Sequence, residues 1–358
     1  MNAPFVPHRS RLRLMDLACA DEAARYDAFL DSCVDATPFH RREWLEAIAA
    51  GTGNGAHVLL AERNRAVVGV LPLCEVHSPL FGRMLASTAF AVGGGALAQR
   101  PEDAAGLLAA AEELALRRSC PTIELRGGAL PQDRAGWTVR RDSHCGFVAP
   151  LAPDDEAQLL AIPRKQRAEV RKGLDQPLRI TAGSGAVDRA AHYAVYAQSV
   201  RNLGTPVFPR ALFSAVLDRF GQAADILTVW QGEVPVASVL SLYHRGAVMP
   251  YWGGGTRAAR SLRANDRMYF ELMRHARGRG CDRFDFGRSK TGSGAYHFKR
   301  NWGFVPELLA YAQWTAPGCL RRDADPTSPR HAARIALWQR LPLAIANRLG
   351  PWIARGLG

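Results

Sequence analysis

The chain has 358 residues, 47% hydrophobic and 22% charged; this suits two domains or one large one and excludes disordered and fibrous classes. A net charge of +13 predicts attraction to phosphate-bearing partners or an anionic surface and carries no information on fold. The seven cysteines are scattered and form no Cys-x-x-Cys or Cys/His cluster, which argues against a disulfide scaffold or a zinc site and fits a reducing compartment.

From the N-terminus, MNAPFVPHRSRLRLMD lacks an apolar leader core, and no stretch approaches the ~20 apolar residues of a membrane span. A cytoplasmic location is expected. Ala61–Leu73 reads as strand, polar turn, strand. An apolar strand ending in Gly93–Gly95 follows, then a helix over Glu102–Arg118 with Leu107, Leu108, Ala111, Leu114 and Ala115 on one face, then a strand over Thr122–Arg126. Pro150-Leu-Ala-Pro153 and the acids Asp154, Asp155 and Glu156 mark a boundary and a helix start. A cation-rich helix is expected over Pro163–Lys172 and another over Asp188–Val200, stopped by Arg201-Asn-Leu-Gly-Thr-Pro206.

The first pattern then returns. Val229–Leu242 is a second hairpin, a strand ends in Gly253–Gly255, and a helix over Asn265–Arg279 carries Met268, Leu272, Met273 and Ala276 on one face. A strand over Arg283–Gly287 closes the series. Four elements in the same order imply an internal duplication. The expected division is 1–152, 153–320 and a helical tail, 321–358. In that tail Ala332, Ile335, Ala336, Trp338 and Leu341 form an apolar stripe with Arg334 and Arg340 off it, followed by Ala344–Leu349 and Trp352-Ile353. Two readings stand: an interfacial helix pair on the inner membrane, or helices packed back on the second domain.

Chemistry concentrates between Phe284 and Gly303. A buried strand feeds a glycine- and hydroxyl-rich loop, then Tyr296-His-Phe-Lys299 and Trp302-Gly303. Such strand ends receive phosphate or acyl groups. Asp285 alternates with Phe284 and Phe286, so it points to the other face of the sheet and is either paired, with Arg288 as the candidate partner, or functional. Only four cations in the chain are lysines: Lys165, Lys172, Lys290 and Lys299. Lys299 sits among aromatics, where desolvation lowers an ammonium pKa or sharpens its field on a developing oxyanion. His297 reads as an ordinary loop histidine. Arg164, Lys165, Arg167, Arg171 and Lys172, against the single acid Glu169, form either a solvated face or a diphosphate or nucleic-acid backbone site. No Ser-His-Asp order, HExxH motif or metal-ligand spacing is present.

Hairpin, strand, helix, strand is similar to the order of the GNAT acyltransferase fold, a mixed α/β sheet flanked by helices. More specifically, Arg201–Pro206, Phe284-Asp-Phe-Gly-Arg-Ser289 and Tyr296-His-Phe-Lys-Arg-Asn-Trp-Gly303 together resemble the FemAB-like proteins associated with exosortase/PEP-CTERM loci. So do Lys165-Gln-Arg167 with Val170-Arg-Lys-Gly173, and Leu71-Pro-Leu73 with Phe81-Gly82. The likeness runs from about Phe39 to Trp314. It implies two tandem GNAT-like domains and acyl transfer to an amine. Characterised relatives attach amino acids from aminoacyl-tRNA to a peptidoglycan precursor.

By motif position the resemblance assigns transfer to Phe298 and Lys299, with Trp302-Gly303 trailing, and diphosphate binding to Lys165, Arg167 and Arg171. Asp285 is added as a catalytic candidate, and Arg288, Ser289, Tyr251, Tyr296 and Trp302 as substrate-binding candidates. Some tRNA-dependent relatives carry a helical arm in the second domain; the spacing from Ala182 to Phe220 leaves no room for one. The expected enzyme is therefore an N-acyltransferase or aminoacyltransferase for a phosphate-bearing cell-envelope or exopolysaccharide precursor. No tightly bound cofactor is expected, and the donor is aminoacyl-tRNA or acyl-CoA. The alternatives are an acyl-CoA-dependent GNAT N-acetyltransferase, although no Gln/Arg-x-x-Gly-x-Gly/Ala loop is evident, and a non-catalytic protein binding nucleic acid or an anionic glycan.

Overall fold

The computed structural model describes residues 10–320 and 332–358. The first nine residues of the stretch read above for a leader, and residues 321–331 at the start of the expected tail, lie outside the described residues. In chain order the elements begin with β1 (Arg11–Leu14), α1 (Ala20–Ser32), α2 (Arg42–Thr52), β2 (Gly55–Arg63), β3 (Ala66–Ser78), β4 (Gly82–Ala86), β5 (Leu97–Ala98) and α3 (Pro101–Arg117). Next come β6 (Thr122–Arg126), β7 (Trp137–Gly146), β8 (Val148–Pro150), α4 (Asp155–Ala161), α5 (Arg164–Leu174), β9 (Arg179–Gly183), α6 (Ala186–Leu203) and α7 (Arg210–Phe220). The series continues with β10 (Ala224–Gln231), β11 (Val234–His244), β12 (Ala247–Gly255), α8 (Ala258–Ser261), α9 (Ala264–Gly278), β13 (Arg283–Asp285) and β14 (Ser289–Lys290). It ends with α10 (Gly294–Asn301), β15 (Glu307–Thr315), α11 (Ala332–Arg340) and α12 (Leu343–Ala354).

These fall into two compact units, one of Met1–Arg140, Ala310–Asp323 and Gly356–Gly358, the other of Arg141–Leu309 and Ala324–Arg355. In the first, strands run β1-β2-β3-β4-β6-β15, with β5 on β3. Neighbours are antiparallel except β4 and β6, which α3 joins as a parallel pair. In the second the order is β9-β10-β11-β12-β13-β8, antiparallel except for β12 and β13, joined through α8 and α9. The duplication read from the sequence is thus a duplication of topology.

Each sheet buries the helix face that the apolar spacing predicted. Leu107, Leu108, Ala111, Leu114 and Ala115 of α3 pack with Leu59, Leu71 and Leu85. Met268, Leu272, Met273 and Ala276 of α9 pack with Val229, Val239, Val248 and Phe284. Each large apolar side chain so buried contributes roughly 1.5–3 kcal/mol, before the entropy of ordering is set against it.

Two features differ from the sequence reading. The units are not sequential halves cut at 152/153. The strand that pairs with β6 on its far side from β4 is β15, from late in the chain, and the strand that pairs with β13 on its far side from β12 is β8, from before the expected boundary. The strand expected to end at Gly93–Gly95 stops at Ala86, and the glycines lie in a loop. Phe90 (φ 62°), Gly93 (φ 74°) and Gly95 (φ 120°) adopt backbone conformations no strand accepts.

Tail helices α11 and α12 both pack on α6. The α6 helix ends at Gly204 in the left-handed conformation (φ 82°), as the Arg201–Pro206 turn predicted, and an added Cβ there would meet Ile335 Cγ2 at 2.4 Å. The Arg201 guanidinium donates to the carbonyl of Gln339 at 3.1 Å. Among the described residues no helix is long and apolar enough to cross a membrane.

Candidate functional site

In the second unit β12 and β13 pair only at Ala247 with Arg283 and Val248 with Phe284. The β12 strand continues to Gly255 against β11, while β13 stops at Asp285. From Met249 onward the β13-facing edge of β12 therefore has no strand beside it among the described residues. Tyr251 lies on that stretch, edge-on to Trp252 at 5.1 Å. Strand openings of this kind at a crossover are where open α/β sheets take ligands.

The chain leaving β13 turns at Gly287, whose φ of 66° suits glycine and strains any other residue. The N–H of Gly287 donates to Asp285 Oδ1 at 2.8 Å. That bond replaces the pairing with Arg288 that the sequence suggested, and the Arg288 side chain is exposed. Burial raises the Asp285 carboxyl above its ordinary value, with the Gly287 N–H and the Lys299 charge pulling the other way. Beyond the turn Ser289 pairs with Cys145 and Lys290 with His144. The Ser289 hydroxyl is buried with no hydrogen-bond partner among the described residues.

Tyr296–Lys299 is helical rather than loop, because Ser293 caps α10 by accepting the N–H of Tyr296 at 3.2 Å. Lys299 is the buried residue of α10, only 8% exposed. Its Nζ donates to the carbonyls of Gly287 at 3.2 Å and Arg288 at 2.7 Å. It also lies 5.3 Å from the Phe147 ring centroid and 5.6 Å from that of Phe286. Desolvation by this apolar wall lowers its pKa to about 8, against the pull of the Asp285 charge. An ammonium has three protons, and these carbonyls take two. The sequence-based expectation of a desolvated lysine among aromatics is met, with backbone carbonyls as its partners.

Phe298 packs against Tyr269, Phe286 and Trp302, at centroid distances of 5.7, 6.1 and 6.2 Å. Trp302 is buried, and its indole N–H has no acceptor among the described residues. Tyr296 stands edge-on to Phe147 at 5.6 Å, and His297 is exposed. Two contributors went unnoticed in the sequence. Phe147 lies so far from Lys299 along the chain that no local pattern links them. Tyr269 joins Phe286, Phe298 and Trp302 to β12: a Cβ on Gly253 would stand 3.3 Å from its hydroxyl. At the turn from β12 towards α9, Thr256 Oγ1 and Asn265 Oδ1 are likewise buried without partners among the described residues.

The cationic helix α5 packs on α9, through Gln166 Nε2 donating to Asp266 at 2.6 Å and Gly173 lying against Arg263. Pro163, the residue just before α5, sits against Gly303, so the helix starts next to the end of the Lys299 segment. Arg167 is spent on structure: its guanidinium donates to the carbonyls of Leu160 and Ile162, which are left over at the end of α4. Lys172 pairs with Glu169 at 2.9 Å. Arg164, Lys165 and Arg171 are exposed and have no ion pair among the described residues. Among those residues no three His, Cys, Asp or Glu side chains are grouped to hold a metal ion.

Residues 163–300 match the family described as acetyltransferase (GNAT) domain. No curated protein matches the chain in sequence. Among solved structures it is similar to FemX, at 15% identity and a TM-score of 0.62, over 84% of this chain and 96% of that one. It is also similar to a tandem GNAT protein from the clavulanic acid biosynthesis pathway, at 12% identity and a TM-score of 0.53, over 86% and 100%. A third is the C-terminal domain (DUF2156) of a putative lysylphosphatidylglycerol synthetase from Agrobacterium fabrum, at 13% identity and a TM-score of 0.53, over 82% and 92%. These likenesses establish the fold as tandem GNAT-like units of mixed α/β type. The matched acetyltransferase (GNAT) domain lies in the second unit, and the acyltransferase activity is that domain's.

Proposed function

We propose that the enzyme is an N-acyltransferase of the FemAB kind, forming an amide on an amine of a phosphate-bearing cell-envelope or exopolysaccharide precursor. The observation that carries this reading is the Lys299 ammonium, desolvated and held by the carbonyls of Gly287 and Arg288 just past the end of β13. When an amine attacks an ester or thioester carbonyl, a carbon–nitrogen bond forms and the carbonyl electrons move onto oxygen. The remaining N–H of Lys299 stabilises that oxyanion, which then collapses, breaking the ester or thioester bond, while the proton shed by the amine nitrogen passes to the departing oxygen or sulfur to give the alcohol or thiol. Phe298 and Trp302 keep the ammonium's surroundings apolar, and Asp285 acts through Lys299 by sustaining its charge. Holding donor and acceptor in register supplies much of the remaining acceleration.

The acceptor phosphates belong with Arg164, Lys165 and Arg171, while Arg288, Ser289, Tyr251 and Tyr296 contact the substrates. The family match favours a thioester donor of the acyl-CoA type, with Thr256 and Asn265 offering it unfilled polar groups. Aminoacyl-tRNA is the other donor, and the exosortase-linked assignment rests on the combined motifs from Leu71 to Gly303. The test incubates purified protein with acyl-CoA or aminoacyl-tRNA and an amine-bearing glycan phosphate, reading the amide by mass spectrometry. Amide that depends on Lys299 supports the reading. Salt-steep RNA binding with no amide from either donor overturns it.

A further inference from the structure

The tail helix α12 is built inside out. Its small residues Ala346, Gly350 and Ala354 are buried, Gly350 lying against Val207. Three of its five large apolar residues point away, Ile345, Leu349 and Trp352 being 46%, 45% and 48% exposed, while Leu343 and Ile353 are half-buried. At i, i+4 and i+7 they form one stripe on the face opposite the packed one. Arg348 and Arg355, both exposed, run along one flank of it. A helix serving only its own domain would bury the leucine and tryptophan and expose the alanines. From Ala332 to Gly358 the chain has Arg334, Arg340, Arg348 and Arg355 and no Asp or Glu.

We infer that this face docks on an anionic lipid surface, with Ile345, Leu349 and Trp352 entering the acyl boundary and the flanking arginines meeting headgroup phosphates. Charge selects the occupant: a cationic segment without acids complements an anionic bilayer, and a tryptophan beside cations suits the headgroup level. The helix lies on the membrane and does not span it. The inference is independent of the acyl-transfer reading, since vesicle binding needs no substrate.

The test is co-sedimentation of the full chain with equimolar phosphatidylglycerol/phosphatidylcholine vesicles and with phosphatidylcholine alone. Binding is expected only to the anionic vesicles and is expected to weaken with salt. The double substitution Leu349→Gln/Trp352→Gln, on exposed positions, should keep the thermal melt and lower partitioning by at least about tenfold. Arg348→Gln should lower it by about fivefold. Equal binding to both vesicles, or an unchanged double variant, overturns the inference. A wild-type dimer that the double variant dissociates, without vesicle binding, overturns it in favour of a second copy of the chain.

Discussion

Asp285 and Lys299 hold Gly287 from both ends: the carboxylate accepts its N–H at 2.8 Å, and the ammonium takes its carbonyl at 3.2 Å. The two charges thus flank one residue, and each biases the other's protonation. Turnover should expose this coupling.

Replacing Lys299 with Met should leave the fold intact and lower kcat by about 10²–10³, the scale of losing one oxyanion donor. In the wild type, activity should fall as pH rises through about 8, where the ammonium loses its proton. Stability should move the other way. The unfolded lysine keeps its proton to about 10.5, so between these values the unfolded chain binds more protons and the folded state gains. A pH–rate profile checks the first limb and denaturant melts the second; an unchanged kcat in the Met variant would remove the central assignment.

The Asp285→Asn variant deletes the charge that supports the ammonium. Its alkaline limb should shift below that of the wild type, with KM changed less than kcat. A purely structural carboxylate would instead lower stability and leave the midpoint of the limb in place.

His192 is a separate pH element. It is 1% exposed, its Nδ1 lies 3.1 Å from the Ser238 hydroxyl, and burial lowers its pKa to about 3. The unfolded imidazole protonates near 6.5, so below that pH the unfolded chain binds the extra proton and stability falls. His192→Gln should flatten the acid side of the stability curve by about 1.4 kcal/mol per pH unit below 6.5. Urea melts between neutrality and pH 5 measure it; an unaltered slope would show that other groups govern acid sensitivity.

The α6–α11 junction yields a double-mutant cycle. Gly204→Ala places a side chain at a φ of 82° and against Ile335, so a loss of about 2–4 kcal/mol is expected. Adding Ile335→Ala should recover the steric share and leave the conformational share. Additive losses would place the tail helix away from Gly204.

The duplicated core was legible because apolar spacing on α3 and α9, and the hairpins around Asn64-Arg65 and Gly232-Glu233, are local patterns with local causes. The loop geometry at Phe90–Gly95 was not, since an apolar run bounded by glycines fits a strand as well as a buried turn. Nor could the sequence divide the cations of α5. Arg167 and Arg171 look alike on a helical wheel, yet only Arg167 lies within reach of the leftover carbonyls of α4. The partner of Lys299 was hidden for the same reason: backbone carbonyls leave no residue-specific mark.

The crossed provenance of β8 and β15 also sets a schedule for synthesis. As the nascent polypeptide leaves the ribosome, the second sheet has all its strands once Asp285 is out, whereas the first waits for Thr315 with the margin of β6 open. The half translated earlier therefore finishes later, and an unpaired border on an N-terminal intermediate is the natural client of a chaperone.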